Sequence, residues 1–226
     1  MTADGDRRGC VVFDVDGTLL DTNYLHVSAW WEAFRERGHE VRSADIHQAI
    51  GKNSADLVQD VLGRRDDSVI DAHARYLGPY LGRMRALPGA ADLLRATAGL
   101  GLQVVIATNA GPGEIDLLLD AIGARDAISE VLTAGDAVRA RSAPDVIQAA
   151  LAATQVQRRH CAMVGDSVWD AIAADRAGVR CIGMLTGGIA EQQLRSAGAA
   201  AIYADAAALL DGLDLSIIGQ LASQLS

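Results

Sequence analysis

The sequence predicts an α/β fold built on a doubly wound parallel sheet, with a helical module inserted after the first strand. From about residue 88 onward, short apolar runs of strand length alternate with stretches of helical spacing. This alternation is typical of a parallel sheet with helices on both faces. Between the first apolar run and residue 88 the spacing is helical throughout. We therefore expect a core formed by residues 1–20 and 88–226 and a helical module formed by residues 21–87.

Composition and charge narrow the class of protein. Half of the 226 residues are apolar and 22% are charged, as in a globular chain with a sizeable core. The net charge of −9 argues against general binding to nucleic acid or membrane surfaces, which requires basic patches. The first residues lack the basic-then-apolar order of a signal peptide, and Cys10, Cys161 and Cys181 lack CxxC spacing. We expect a cytoplasmic protein with buried, reduced cysteines that binds neither nucleic acid nor membrane.

The spacing of apolar residues predicts the individual elements. In the inserted module, helices are expected over residues 24–37, 45–62 and 69–84, with breaks at Gly38, Gly63 and Gly78-Pro79. Strands are predicted at 10–13, 103–108, 128–133, 161–164, 179–185 and 200–203. Further helices are predicted at 112–122, 143–153, 190–197 and 205–213, and one that ends at 177. The last dozen residues are expected to form a loose helical tail.

The first predicted strand ends on two carboxylates. The apolar run at residues 10–13 is followed by Asp14, Asp16 and Gly17, and ligands of open α/β sheets bind at the carboxyl ends of the strands. Two carboxylates this close repel each other. Either a divalent cation keeps both ionised, or one acts as a nucleophile and the other as an acid and base. The simpler alternative is a turn in which these residues only cap the chain.

Three further polar clusters follow the predicted strands. Thr108 and Asn109 end one strand, where their polar groups could hold phosphate oxygens or could only cap the next helix. Arg141 precedes a predicted helix and is either a cation at the same edge of the sheet or an ordinary surface residue. Asp166 and Asp170 open another helix, as a metal ligand with a supporting acid or as a simple cap.

Taken in order, these clusters resemble the four motifs of the haloacid dehalogenase-like phosphatase superfamily. DVDGT at 14–18, TN at 108–109, RSAPD at 141–145 and GDSVWD at 165–170 match those motifs, and the helical module matches the small α-helical cap of the family. The resemblance covers nearly the whole chain. It implies a Rossmann-like core with an inserted cap domain, and a Mg²⁺-dependent phosphatase of small organic phosphate monoesters. A dehalogenase is disfavoured, because that branch lacks the second Asp of the first motif.

The resemblance also implies a role for each acid. Asp14 would attack phosphorus and form an aspartyl-phosphate. Asp16 would protonate the leaving alcohol and then activate the water that hydrolyses the intermediate. Asp14, the backbone carbonyl of Asp16 and Asp166 would bind Mg²⁺. Asp170 would steady the waters of the metal or the nearby cation.

Substrate binding would involve other motif residues and the cap. Thr108 and the amide of Asn109 would bind phosphoryl oxygens, with Gly17 beside them in the first motif. His26 follows Asp-Thr-Asn in a pattern similar to the cap entrance of β-phosphoglucomutase and its sugar-phosphatase relatives, where the matching His lies beside the catalytic acid. A purely structural His is the alternative. Lys52 lies in a stretch that resembles the substrate loop of the cap, where it could meet an anionic group.

The third motif departs from the family pattern. The family carries Lys in a pattern like KPxPD, whereas this chain has Arg141, and Lys52 is its only lysine. Arg keeps the charge but is larger and planar, so we hypothesise that Arg141 keeps the role with reduced or altered efficiency. Two alternatives remain, a sugar-phosphate mutase and a catalytically silent binding protein. The fourth motif weakens the mutase, because mutases carry Glu before the metal-binding Asp and lack the later acid. The particular ester, and whether the protein is a monomer or a homodimer, stay open.

Overall fold

The computed structural model describes residues 9–111, 113–133 and 146–225, which form six strands and eleven α-helices. The strands are β1 Cys10–Asp14, β2 Gln103–Thr108, β3 Glu130–Thr133, β4 Cys161–Gly165, β5 Arg180–Met184 and β6 Ala199–Tyr203. The first four helices are α1 Asn23–Glu36, α2 Ser43–Ala49, α3 Ser54–Leu62 and α4 Asp67–Leu81. The others are α5 Ala90–Gly99, α6 Ile115–Ile122, α7 Val146–Thr154, α8 Val168–Ala177, α9 Glu191–Ser196, α10 Ala206–Asp211 and α11 Ile217–Leu225.

All six strands are parallel and lie in the order β3-β2-β1-β4-β5-β6. β1 is central, with Asp14 opposite Ala107 of β2 and Phe13 opposite Val164 of β4. From β1 the chain first builds one half of the sheet and then returns to build the other half from β4. Parallel sheets of this kind bind ligands where the strand order reverses, so the crevice is expected at the carboxyl ends of β1 and β4.

Helices cover both faces of the sheet. Side chains alternate between faces along a strand. Phe13 therefore packs on one face with Leu93 of α5 and Leu221 of α11. Its neighbour Val12 packs on the opposite face with Ile147 of α7. The predicted Rossmann-like, doubly wound α/β class is thus confirmed.

The four helices between β1 and α5 have an apolar core of their own. Trp30 and Phe34 of α1 are buried there with residues of α2, α3 and α4. The chain enters and leaves this module side by side, because Leu20 and Ala86 form an antiparallel bridge. The Leu87 N–H donates to the Leu19 carbonyl at 2.9 Å. This geometry supports the proposed cap boundaries of 21–87.

Three local expectations were wrong. The predicted helix over 45–62 is two helices, because Gly51 adopts φ +97° and Asn53 caps α3 by accepting the Asp56 N–H at 3.0 Å. The predicted break at Gly78-Pro79 does not end α4, which continues to Leu81 with Pro79 in its last turn. The final helix α11 is not a loose tail, because it packs against the core.

The cysteines are buried and free, as expected, and the Sγ atoms of Cys10 and Cys161 lie 3.2 Å apart on neighbouring strands. Over the described ranges, the helices are all too short or too polar to cross a membrane.

Candidate active site

Three carboxylates meet at the carboxyl ends of β1 and β4. One oxygen from each of Asp14, Asp166 and Asp170 lies within 4.8 Å of the others. Burial, together with the charges of Asp170, Asp166 and Asp16, raises the pKa of Asp14 well above its ordinary value. Burial and the Asp170 charge raise the pKa of Asp166 to about 7. The cluster therefore concentrates negative charge that a bound cation would relieve.

Asp166 is fixed by residues that follow β1. Its two carboxylate oxygens accept hydrogen bonds from the Thr18 hydroxyl and from the Asn23 Nδ2, each at 2.8 Å. Gly17 lies beside them with φ +82°, and a Cβ at this position would come within 2.3 Å of Asn23 Nδ2 and 2.4 Å of an Asp166 oxygen. The first motif thus needs glycine both for its backbone conformation and for the space it leaves.

Asp170 is held by the start of its own helix. Its carboxylate accepts hydrogen bonds from the Ser167 hydroxyl at 2.6 Å and the Ser167 N–H at 3.0 Å, while Ser167 caps α8 by accepting the Asp170 N–H at 3.2 Å. A Cβ on Gly165 would lie 2.4 Å from the Asp170 carboxyl carbon. The capping box and the glycine together hold Asp170 against the end of β4.

Asp16 points toward a different set of partners. Its Oδ1 accepts a hydrogen bond from the Thr22 hydroxyl at 2.6 Å and lies 3.2 Å from the His26 Nε2. Burial alone would raise the pKa of Asp16, but His26 and Thr22 outweigh it and lower the pKa. Burial in turn opposes the charge of His26, yet Asp16 raises the His26 pKa above its ordinary value. The pair is therefore an acid and an imidazole that can share a proton.

The second motif lies at the end of β2, and the third motif, at residues 141–145, lies outside the described residues. Thr108 is buried at the end of β2, where its Oγ1 accepts the Ala110 N–H at 3.1 Å, and its O–H has no acceptor among the residues that the structure describes. The Asn109 side chain is exposed and donates from Nδ2 to the Lys52 carbonyl at 3.4 Å. Arg141 lies outside the described residues.

Lys52 lies at the edge of the cleft between cap and core. Its ammonium pairs with Asp60 and sits 3.7 Å from the centre of the Trp169 ring. The Trp169 Nε1 donates to the Gln48 carbonyl at 3.1 Å, which ties the cap to the start of α8. The expected contact of Lys52 with an anionic substrate group stays a prediction, because the lysine already has these partners.

A cleft of about 290 Å³ opens above the acids and extends into the cap. Asp14, Asp16 and Asn109 form its core side, and His26, Lys52 and His73 belong to its cap side. His73 is 8% exposed and stacks on Trp30 at a centroid distance of 3.8 Å. Burial, aided by the charge of His26, lowers the pKa of His73 to about 3. His73 is therefore a neutral ring near neutral pH.

The donor set at the bottom of the cleft fits a hard divalent cation. Asp14, Asp166 and Asp170 offer only carboxylate oxygens, which are the ligands that Mg²⁺ prefers. The carboxylate of Asp16 is not part of this group and bonds to Thr22 and His26 instead. That Asp16 would offer a metal only its backbone carbonyl stays a prediction.

The residues that position the acids were not predicted from the sequence. Thr18 and Asn23 hold Asp166, Thr22 holds Asp16, and Ser167 holds Asp170. Thr22 and Ser167 are residue types typical of helix N-caps and each directly precedes a helix, which was the sign available in the sequence. Their partners across the fold could be found only from coordinates, because Asn23 and Asp166 are 143 positions apart.

This combination of a parallel α/β core, acids at the strand ends and a helical insertion defines a class of hydrolase. A family model described as haloacid dehalogenase-like hydrolase matches residues 9–178. The chain belongs to this family.

Individual relatives agree with this assignment. The chain is 30% identical over 217 residues to a phosphoglycolate phosphatase of Rhodospirillum rubrum, and the match covers 90% of each chain. It is 28% identical to the Arabidopsis thaliana protein Suppressor of quenching 1, chloroplastic. That match covers 90% of this chain but only 20% of the length of the Arabidopsis protein. The crystal structure of a hydrolase from Pseudomonas syringae superposes with a TM-score of 0.84 at 29% identity, covering 92% of this chain and 99% of that one.

Proposed function

We propose that the protein is a Mg²⁺-dependent phosphatase that hydrolyses small organic phosphate monoesters through an aspartyl-phosphate. The observation that carries the proposal is the placement of Asp14 among Asp166 and Asp170, with Asp16 held separately by Thr22 and His26. Two neighbouring carboxylates in such different surroundings can take different roles in one reaction. The phosphatase named above, which aligns over most of both chains, supports the same class.

In the first step, an Asp14 oxygen attacks phosphorus in line, and the ester oxygen leaves as the alcohol. Asp16 donates the proton that the leaving oxygen needs. In the second step Asp16 takes a proton from water, the water oxygen attacks phosphorus, and the bond between phosphorus and the Asp14 oxygen breaks. Inorganic phosphate is released and Asp14 is a free carboxylate again. His26 is the neighbouring group that can share a proton with Asp16 before the first step and again after the second.

Asp14, the Asp16 carbonyl and Asp166 would hold Mg²⁺, with Asp170 supporting them. The bound metal would shield these carboxylates from the negative charge of the substrate. Thr108 and Asn109 would bind the phosphoryl oxygens beside Gly17. Arg141 is proposed to complete the charge balance. A cytoplasmic location and a monomeric or dimeric state remain predictions.

We do not favour the mutase alternative. The fourth motif has Gly165 before Asp166 and retains Asp170, which is the phosphatase pattern. A catalytically silent protein would not need both Asp14 and Asp16, and in the structure Asp16 keeps hydrogen-bonding partners of its own, Thr22 and His26.

The test is phosphate release from a panel of phosphate esters with Mg²⁺, using wild type and Asp14→Asn. We expect release by the wild type that falls to background in Asp14→Asn and with chelator. Absence of release from every ester, in folded protein that binds Mg²⁺, would reject the proposal. Conversion of a hexose 1-phosphate to its 6-phosphate without release would instead identify a mutase.

The role of Arg141 is tested by restoring the residue of the family pattern. If the site is adapted to Arg, Arg141→Lys gives no gain or a loss in turnover. A clear gain would show that Arg141 is a partial replacement. Arg141→Met is the control that removes the charge, and we expect it to lose turnover in either case.

A further inference from the structure

Part of the lining of the cleft is apolar, and we call this part the apolar lobe. It is formed by the large side chains of Trp30, Ile70, Leu77, Leu81, Met84 and Leu118. Trp30, Leu77, Met84 and Leu118 are each no more than 4% exposed. The lobe therefore belongs to the packed structure of the cap and core and is not an incidental surface groove.

Charge is distributed unevenly along the cleft. Among the described lining residues, Lys52 is the one lysine or arginine, and its ammonium already pairs with Asp60 and the Trp169 ring. Glu114 adds a carboxylate to the wall and accepts the Gly111 N–H at 2.8 Å. His73 contributes a neutral ring. Within the described part of the chain, an anionic group on the alcohol side of the substrate would thus leave water without gaining an unpaired lysine or arginine.

We infer that the substrate is a phosphate monoester whose alcohol part is neutral and largely apolar, of the size of a benzyl or branched alkyl group. This inference rests on the proposed phosphatase activity and specifies its substrate class. Burial of a carboxylate without a partner is costly, whereas burial of apolar surface in this lobe is favourable. Carboxylated esters such as phosphoglycolate are correspondingly disfavoured, although one relative is named for that substrate.

Binding of non-hydrolysable phosphonates tests the lobe independently of turnover. In the presence of Mg²⁺, titration calorimetry compares benzylphosphonate with phosphonoacetate, which differ mainly in an apolar ring against a carboxylate. We expect benzylphosphonate to bind at least roughly tenfold more tightly. Equal binding, tighter binding of phosphonoacetate or no binding of either probe would overturn the inference.

A charge-introducing variant locates the effect in the lobe. Ala74 is exposed on α4 and lines the cleft, so Ala74→Arg adds a cation there without entering the core. We expect the preference for benzylphosphonate over phosphonoacetate to fall by roughly tenfold in this variant. The matched control is Ala153→Arg, at an exposed alanine of α7 that is not part of the cleft, and it should leave the preference unchanged. An equal change in both variants would show that the preference does not arise in the lobe.

Phosphate release separates the two proposals. Benzyl phosphate and 2-phosphoglycolate are compared by kcat/KM, with glycerol 3-phosphate as a neutral polar ester. Preferred hydrolysis of benzyl phosphate supports both proposals. Preferred hydrolysis of 2-phosphoglycolate keeps the phosphatase and overturns the apolar substrate class. Tight benzylphosphonate binding with no release from any ester keeps the apolar lobe and rejects the phosphatase.

Discussion

Gly17 lies where the backbone of the first motif approaches the side chains that fix Asp166. We predict that Gly17→Ala lowers both stability and phosphate release, because a Cβ would collide with Asn23 and with the Asp166 carboxylate. Gly38 is a matched control with φ +78° and no atom within 4 Å of the added Cβ. Gly38→Ala should cost only the conformational penalty of about 1 kcal/mol, and Gly17→Ala roughly 3 kcal/mol. Urea denaturation measures both, and equal losses would contradict the collision.

His73 is a buried imidazole whose pKa is lowered to about 3, against an ordinary value of 6.5. Below about pH 6.5 the unfolded chain binds a proton at this site and the folded chain does not. Stability is therefore complete above this pH and falls as the pH drops toward 3, by about 1.4 kcal/mol per pH unit. Relative to His73→Phe, which keeps a ring against Trp30, the wild type should lose about 2 kcal/mol between neutral pH and about pH 5.

Urea titrations of both proteins across that pH range give the comparison. Parallel curves of unfolding free energy against pH would show that His73 takes up a proton in the folded state. His73→Asn, which also lacks a titrating group, should follow His73→Phe in pH dependence if not in absolute stability.

At the scale of elements, the start of α8 serves both the helix and the candidate site. Ser167 caps the helix and also holds Asp170. Asp205, which does not line the cleft, caps α10 by accepting the Ala208 N–H at 2.8 Å. We predict that Ser167→Ala and Asp205→Ala each cost about 1 kcal/mol of stability. Only Ser167→Ala should also reduce kcat for phosphate release. A similar loss of kcat in Asp205→Ala would mean that helix stability alone explains the effect.

The periodicity of apolar residues predicted the strands of the sheet and the carboxyl ends of two of them. The apolar runs at β1, β2 and β4 stand out because these strands are buried on both faces, and the acids after β1 and β4 mark the carboxyl ends. The split between α2 and α3 was missed because helical spacing continues across Gly51. The pairing of Thr22 with Asp16 and of Asn23 with Asp166 depends on side-chain directions in the folded chain. Spacing along the sequence carries no such information.

Across the whole molecule, a cation bound at the acid cluster, as proposed, would link metal binding to folding. Without a cation, Asp14, Asp166 and Asp170 repel one another. A ligand that binds only the folded state raises the free energy of unfolding by about 2.7 kcal/mol at a hundredfold excess over Kd. We predict that Mg²⁺ raises the melting temperature of the wild type more than NaCl of equal ionic strength does. Asp170→Asn should melt higher than the wild type in chelator and respond less to Mg²⁺. Identical responses would argue against a cation at this cluster.

The antiparallel bridge between Leu20 and Ala86 closes the base of the inserted helices. For the folding of the sheet, the residues between Leu20 and Ala86 form one long loop, and the bridge joins its two ends. The entropy of closing a loop grows only slowly with its length. Helices of another length or lining could therefore be grafted at this base with little effect on the strands that carry the acids. In evolution, the helices proposed to recognise the alcohol can thus change independently of the strands that carry the acids.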